Sequence, residues 1–177
     1  LVGLPASQEG RKKKFEEDVE TWKAEVERID KGCVNGEAIW AAPDFNDAAW
    51  KSMKVPGLMQ EQDLPGFSGL VWFRKTIDIP AGWAGKDLIL NLGVIDDNDF
   101  TYFNGIQIGH TEGWMAPRSY KIPKELVKKG KAVIAVRVMD TGGTGGINGS
   151  PESISLHLSD TEAIQLAGNW KYQVSLD

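Results

Sequence analysis

Leu70-Val71-Trp72-Phe73-Arg74-Lys75-Thr76-Ile77-Asp78-Ile79 is the stretch on which the fold class turns. Val71, Phe73, Ile77 and Ile79 share one face, and Trp72, Arg74, Thr76 and Asp78 share the other. That two-residue period belongs to a strand. Pro80 ends it, because proline brings no N–H to a ladder. Downstream, Leu88, Leu90, Leu92 and Val94 alternate with Ile89 and Ile95 on the opposite face. Phe100 to His110 reads as a hairpin about Asn104-Gly105, two residues that tolerate positive φ. Arg118 to Ile122 forms a short strand, and Pro123 opens a single turn that Gly130 closes. Lys131 to Met139 is apolar on both faces, which predicts a central strand. Ile154, Leu156 and Leu158 alternate again, and Trp170, Tyr172 and Val174 close the pattern. With about eight strands and no helices between them, the prediction is an antiparallel sandwich or barrel.

Upstream the period changes. Phe15, Val19, Trp22, Val26 and Ile29 form one stripe of a helix over Glu9 to Lys31, with Gly32 as its stop. Residues 1–10 read as a loose lead-in. A stripe of five large apolar residues is too hydrophobic to face water. It packs either on its own domain or on a neighbouring one. The chain therefore divides into residues 1–32, a lead-in and amphipathic linking helix, and residues 33–177, a β-sandwich.

Composition narrows the function classes. Twenty Lys and Arg against twenty-five Asp and Glu leave a net charge of −5 over 177 residues. No basic face is available for general nucleic-acid binding. No apolar run approaches the ~20 residues that span a bilayer, so no membrane partner is expected. One cysteine, Cys33, and two histidines, His110 and His157, exclude a disulfide framework and a Cys- or His-rich metal site. Twenty glycines and eight prolines fit a chain of many turns. Seven tryptophans serve cores and sugar platforms alike.

Few motifs carry chemistry. Arg74 beside Trp72, on the outward face of its strand, is a platform for a sugar or carboxylate, or else a strand-surface pair or an internal salt bridge. Asp96-Asp97-Asn98-Asp99 gathers oxygen ligands between two strands. Turn chemistry explains the run, and calcium, a sugar or another domain are its alternatives. The loop Gly142-Gly143-Thr144-Gly145-Gly146 lacks the Lys-Ser/Thr of a P-loop and reads as a flexible hairpin or cleft-edge loop. Ser150, His157 and Asp140 are the residue types of a triad, but no Gly-x-Ser-x-Gly elbow supports one.

Several segments together carry a family resemblance. They are Asp44-Phe45-Asn46-Asp47-Ala48-Ala49-Trp50, Gly69 to Lys75, Leu92 to Asp99, Tyr102 to Gly109, Ala135 to Asp140, Gly145-Gly146-Ile147 and Leu166-Ala167-Gly168-Asn169-Trp170. From Trp40 to Tyr172 the chain resembles the jelly-roll, galactose-binding-like domain inserted in bacterial sialate O-acetylesterases. It is also similar to the sugar-binding domain of family-two glycosidases. The Trp-Phe-Arg strand and the Phe-Asn-Gly hairpin occur in both, whereas the Ile-Asp-Asp-x-Asp run, Gly-Gly-Ile and Leu-Ala-Gly-x-Trp point to the esterases. The helix before Lys31 is similar to the linking helix of those enzymes.

The esterase resemblance implies hydrolysis of O-acetyl esters on sialic acid by a Ser-Gly-Asn-His hydrolase domain of the same parent chain. The Gly-Asp-Ser and Asp-x-x-His blocks of that domain are missing, so the chain reads as an inserted module and no catalytic residue is assigned. Trp72, Arg74, Asp97, Asp99 and Asn104 are the candidate glycan contacts, placed by motif position near strand ends and turns. No cofactor is expected, with a structural calcium as an open alternative. The resemblance implies a periplasmic or extracellular location. A pure scaffold, binding no sugar, and a family-two sugar-binding domain are the other readings.

Overall fold

A computed structural model describes residues 8–176. The lead-in expected over residues 1–10 lies outside the described residues as far as residue 7. From residue 8 onward it is part of a helix, α1 (Gln8–Ile29). The strands that follow are β1 (Lys51–Val55), β2 (Gly57–Leu58), β3 (Gly69–Ile79), β4 (Leu88–Asp96), β5 (Asn98–Phe103) and β6 (Ile106–Glu112). Then come β7 (Pro117–Ile122), β8 (Gly130–Asp140), β9 (Gly146–Asn148), β10 (Ile154–His157), β11 (Ala163–Gln165) and β12 (Gly168–Leu176).

All of the paired strands run antiparallel, in two sheets that make a β-sandwich of jelly-roll type. One sheet has the order β1-β12-β3-β8-β5-β6. The other has the order β11-β10-β4-β9-β2, with β7 on the free side of β4. As its apolar faces predict, β8 is central, flanked by β3 and β5. The Asn104-Gly105 turn joins β5 to β6 with φ of 48° and 83°, the handedness that a tight hairpin turn needs.

The inter-sheet core takes Val71, Phe73, Ile77 and Ile79 from β3 and Leu88, Leu90 and Leu92 from β4. One face assignment differs from the alternation. Ile95, expected opposite the leucines, is buried with them, whereas Val94 is half-buried. The register of β4 against β7 shifts between Asn91 and Val94, where Gly93 adopts φ of 63°. A bulge at this point reverses which side chains face inward.

The second correction concerns the outer face of β3. Trp72 and Arg74 are 0% and 2% exposed. A second core covers them, built from Val26, Ala41, Trp50, Leu70, Tyr102, Ala135 and Met139. The last turn of α1 and the segment 33–50 fold over the sheet to form it. Buried Asp30 anchors this cover. Its carboxylate accepts from Trp72 Nε1 at 3.0 Å, Gly32 N at 2.7 Å, Arg137 Nε at 2.6 Å and Ser175 Oγ. Of the apolar stripe on α1, only Val26 is buried, while Phe15 is 68% exposed and Trp22 and Ile29 are each 38% exposed. Four of the tryptophans, Trp50, Trp72, Trp83 and Trp170, belong to the cores.

Candidate functional site

The candidate glycan contacts do not converge. Trp72 is enclosed by Asp30 and stacks on Tyr102 at 5.6 Å between ring centroids. Arg74 lies beneath the segment 40–47. Its Nε donates to Asp47 Oδ2 at 2.8 Å, Nη1 donates to the carbonyls of Trp40 and Ala42, and Nη2 donates to that of Phe45. Its guanidinium carbon is 5.4 Å from the centroid of the Phe45 ring. The outward platform expected at these residues is therefore corrected: both face outward from the sheet, but the covering segment takes every contact they could offer a sugar.

Asp99 is also interior, at 0% exposure. Its Oδ1 accepts from Arg118 Nε at 2.8 Å, and its carboxylate also accepts from Thr101 and from the Tyr120 hydroxyl. Burial, and then the adjacent Asp99 carboxylate, push the Tyr120 phenol above its ordinary range. The other arms of Arg118 donate to carbonyls of Gly113, Ala116, Asp97 and Thr111. This inter-sheet ion pair thereby holds the loop at residues 113–116, which presents Trp114 and Met115 at 59% and 66% exposure. Sequence reasoning missed this pair of side chains. The signal was present, because two large apolar residues in a Gly- and Pro-flanked turn have no strand face on which to hide.

Asp97 and Asn104 are half-buried and flank β5, roughly 20 Å apart at the ~3.3 Å rise of a strand. They border two different cavities. Asp97 helps line a groove of about 660 Å³ together with Phe15, Asp18, Trp22, Glu112 and Thr141. Its carboxylate accepts from the Thr141 amide at 2.8 Å and from the Thr141 hydroxyl. Asp96 lies beside it, and burial, the bond to Asp97 and the charges of Asp97 and Asp140 raise its carboxyl to about 6. Among the described residues, no group of three His, Cys, Asp or Glu side chains is placed to hold a metal ion.

The glycine loop is more tethered than its composition implies. Gly142 N donates to Asp140, and Gly145 N donates to Gln60 Oε1, which is fixed in turn because Gln60 Nε2 donates to Asp140 at 2.7 Å. Ser150, His157 and Asp140 do not form a triad. His157 Nε2 is 2.8 Å from Ser155 Oγ, and Asp140 is engaged with Gln60 and Gly142.

Asn104 borders the larger cavity, an open cleft of about 880 Å³ between the segment 36–46 and the β5–β6 turn. Glu37, Asp44, Asn46 and Gln107 face it beside Phe45 and Ile106. Two of the residues picked out in the sequence shape this cleft from behind. Arg74 pins its wall through the three carbonyls and Asp47. Asn104 Oδ1 accepts from Val133 N at 2.8 Å and fixes the turn at its rim. Gly105 takes φ of 83° in that turn, a conformation that strains any side chain, and a Cβ there would meet Ala42 only in ordinary contact at 3.6 Å.

No known family model matches the chain. Solved structures do resemble it. A Bacteroides uniformis β-glucuronidase bound covalently to a cyclophellitol-6-carboxylate aziridine aligns with 80% of this chain at a TM-score of 0.55 and 21% identity. A family-two glycoside hydrolase, also a β-glucuronidase, aligns with 58% at a TM-score of 0.52 and 22% identity. At such identities the likeness is one of fold. The chain spans 16% and 12% of the length of those two proteins. Both neighbours are β-glucuronidases, one of them from glycoside hydrolase family 2, so the fold likeness falls on the glycosidase side of the two resemblances; the sialate O-acetylesterase likeness rests on the sequence motifs.

Proposed function

We propose that this chain is a non-catalytic β-sandwich module of a larger carbohydrate-active hydrolase, acting as the sugar-binding domain of a family-two glycosidase. One observation carries the reading: four-fifths of the chain superimposes on about one-sixth of a β-glucuronidase. A module needs a neighbour, and the exposed Phe15, Trp22, Trp114 and Met115 supply apolar surface of the kind that domains bury against one another. The helix stripe, with Val26 buried and Phe15, Trp22 and Ile29 exposed, suits that role.

A second reading, the inserted domain of a sialate O-acetylesterase, has its own support. Two of the three motif segments that favour it lie side by side, with Ile95 paired to Ile147 and Asp96 to Gly146. In that reading the partner is a Ser-Gly-Asn-His hydrolase domain of the same parent, and the location is periplasmic or extracellular. In neither reading does the module need nucleic acid, a membrane or a cofactor.

The test is titration of the chain with simple glycosides and with acetylated sialosides, followed by NMR. Turnover of 4-nitrophenyl β-glucuronide and of 4-nitrophenyl acetate is measured in parallel. Sugar binding without turnover is the expected result. Turnover of either chromogenic substrate that a point variant abolishes would overturn the non-catalytic assignment, and absence of binding to every sugar would leave only the scaffold role. A parent carrying a glycosidase barrel supports the first reading, and one carrying a Ser-Gly-Asn-His domain supports the second.

A further inference from the structure

We infer that the 880 Å³ cleft between residues 36–46 and the β5–β6 turn is a saccharide site selective for uncharged sugars over uronates and sialates. The inference rests on the sugar-binding reading above and adds to it a location and a ligand class.

Three observations converge. The first is size: 880 Å³ falls within the roughly 300–1,000 Å³ range of small-molecule sites and admits one or two sugar rings. The second is chemistry. Glu37, Asp44, Asn46 and Gln107 bring carboxylate and amide groups, which pair with vicinal hydroxyls, while Phe45 and Ile106 offer apolar surface to the C–H face of a ring. The third is charge. No Lys or Arg lines the cleft, and the residues that do include two carboxylates. Arg74, the cation behind the wall, is buried and already paired with Asp47. A ligand carboxylate entering here would meet like charge and no donor cation, whereas the matching neutral sugar meets only acceptors and amides.

The wall is also preorganised. Arg74 holds three of its carbonyls, and Asn104 holds the turn opposite, so binding need not order either segment.

The experiment uses a matched pair, methyl β-glucoside and methyl β-glucuronide, which differ only in the oxidation of C6. Each is titrated into the ¹⁵N-labelled chain at low and at high salt. The expected result is a glucoside at least about tenfold tighter than the glucuronide, with shifts at Asn46, Gly105 and Gln107 and with discrimination that narrows as salt rises. The double variant Glu37→Gln/Asp44→Asn, whose side chains are both on exposed residues, should bring the two affinities together. Equal or tighter glucuronide binding in the cleft would overturn the charge argument and leave the sugar-binding reading standing. Shifts confined to the groove beside Asp97 would overturn the location. No shift with either sugar, or with other neutral mono- and disaccharides, would overturn both.

Discussion

Replacing Arg74 with methionine tests whether the cleft wall depends on one buried cation. Methionine keeps the unbranched stem but removes the guanidinium, and with it the ion pair to Asp47 at 2.8 Å and the bonds to the carbonyls of Trp40, Ala42 and Phe45. Breaking a fully buried pair costs about 3–5 kcal/mol. Here the cost belongs at the low end, about 3 kcal/mol, because the Asp47 side chain is 24% exposed and can regain water, as can carbonyls in a surface segment. For a chain of this size that corresponds to a fall in Tm of about 6–12 °C. Urea denaturation should show a lower midpoint with an unchanged slope. Amide exchange should quicken over residues 40–47 ahead of the sheet. Arg74→Lys should recover less than half of the loss, since one ammonium cannot reach a carboxylate and three carbonyls in different directions. A loss below about 1 kcal/mol would place Arg74 among ordinary surface pairs and refute the reasoning, as would full recovery by lysine.

Asp96→Asn should raise Tm near neutral pH and have little effect near pH 4. The folded carboxyl titrates at about 6 against an ordinary 3.8, so the fold disfavours the ionised form. The resulting penalty is absent below the ordinary value, grows between the two and is complete above about 6. A loss of Tm at neutral pH, or an equal gain at both, contradicts it. Asp99→Asn should cost about 3–5 kcal/mol, because it leaves the Arg118 guanidinium inside the sandwich without an anion. It should also speed amide exchange in the 113–116 loop, and a loss under 1 kcal/mol would show that the pair is not needed to hold that loop.

Short-range order was legible from the residues. The alternation of Val71, Phe73, Ile77 and Ile79, the Asn104-Gly105 turn and the two-faced apolarity of β8 each reflect neighbours a few positions apart, and each appears where periodicity places it. The failure at Ile95 is equally physical: a bulge at Gly93 resets a period of two, and nothing in the run of apolar residues announces it.

The candidate site was legible only in part. Trp72, Arg74 and Asp99 were picked out as unusual polar and aromatic residues for a strand, and they are unusual, but in their partners. Those partners are Asp30, Asp47 and Arg118, which lie 42, 27 and 19 positions away. A sequence shows that an arginine stands on an outward face, and it leaves open whether water or another segment of chain covers that face.

Local residue patterns were enough to specify an antiparallel β-sandwich with an amphipathic helix ahead of it, because hydrophobic period and turn chemistry act between near neighbours. Only tertiary packing decided that the outward face of β3 is covered at Trp72 and Arg74, that Arg74 and Asn104 support a cleft from behind, and that Trp114 and Met115 are exposed. The reason is that burial depends on which distant segment folds over a strand, and loop-closure entropy scarcely distinguishes one such segment from another until the packed contacts themselves make the choice.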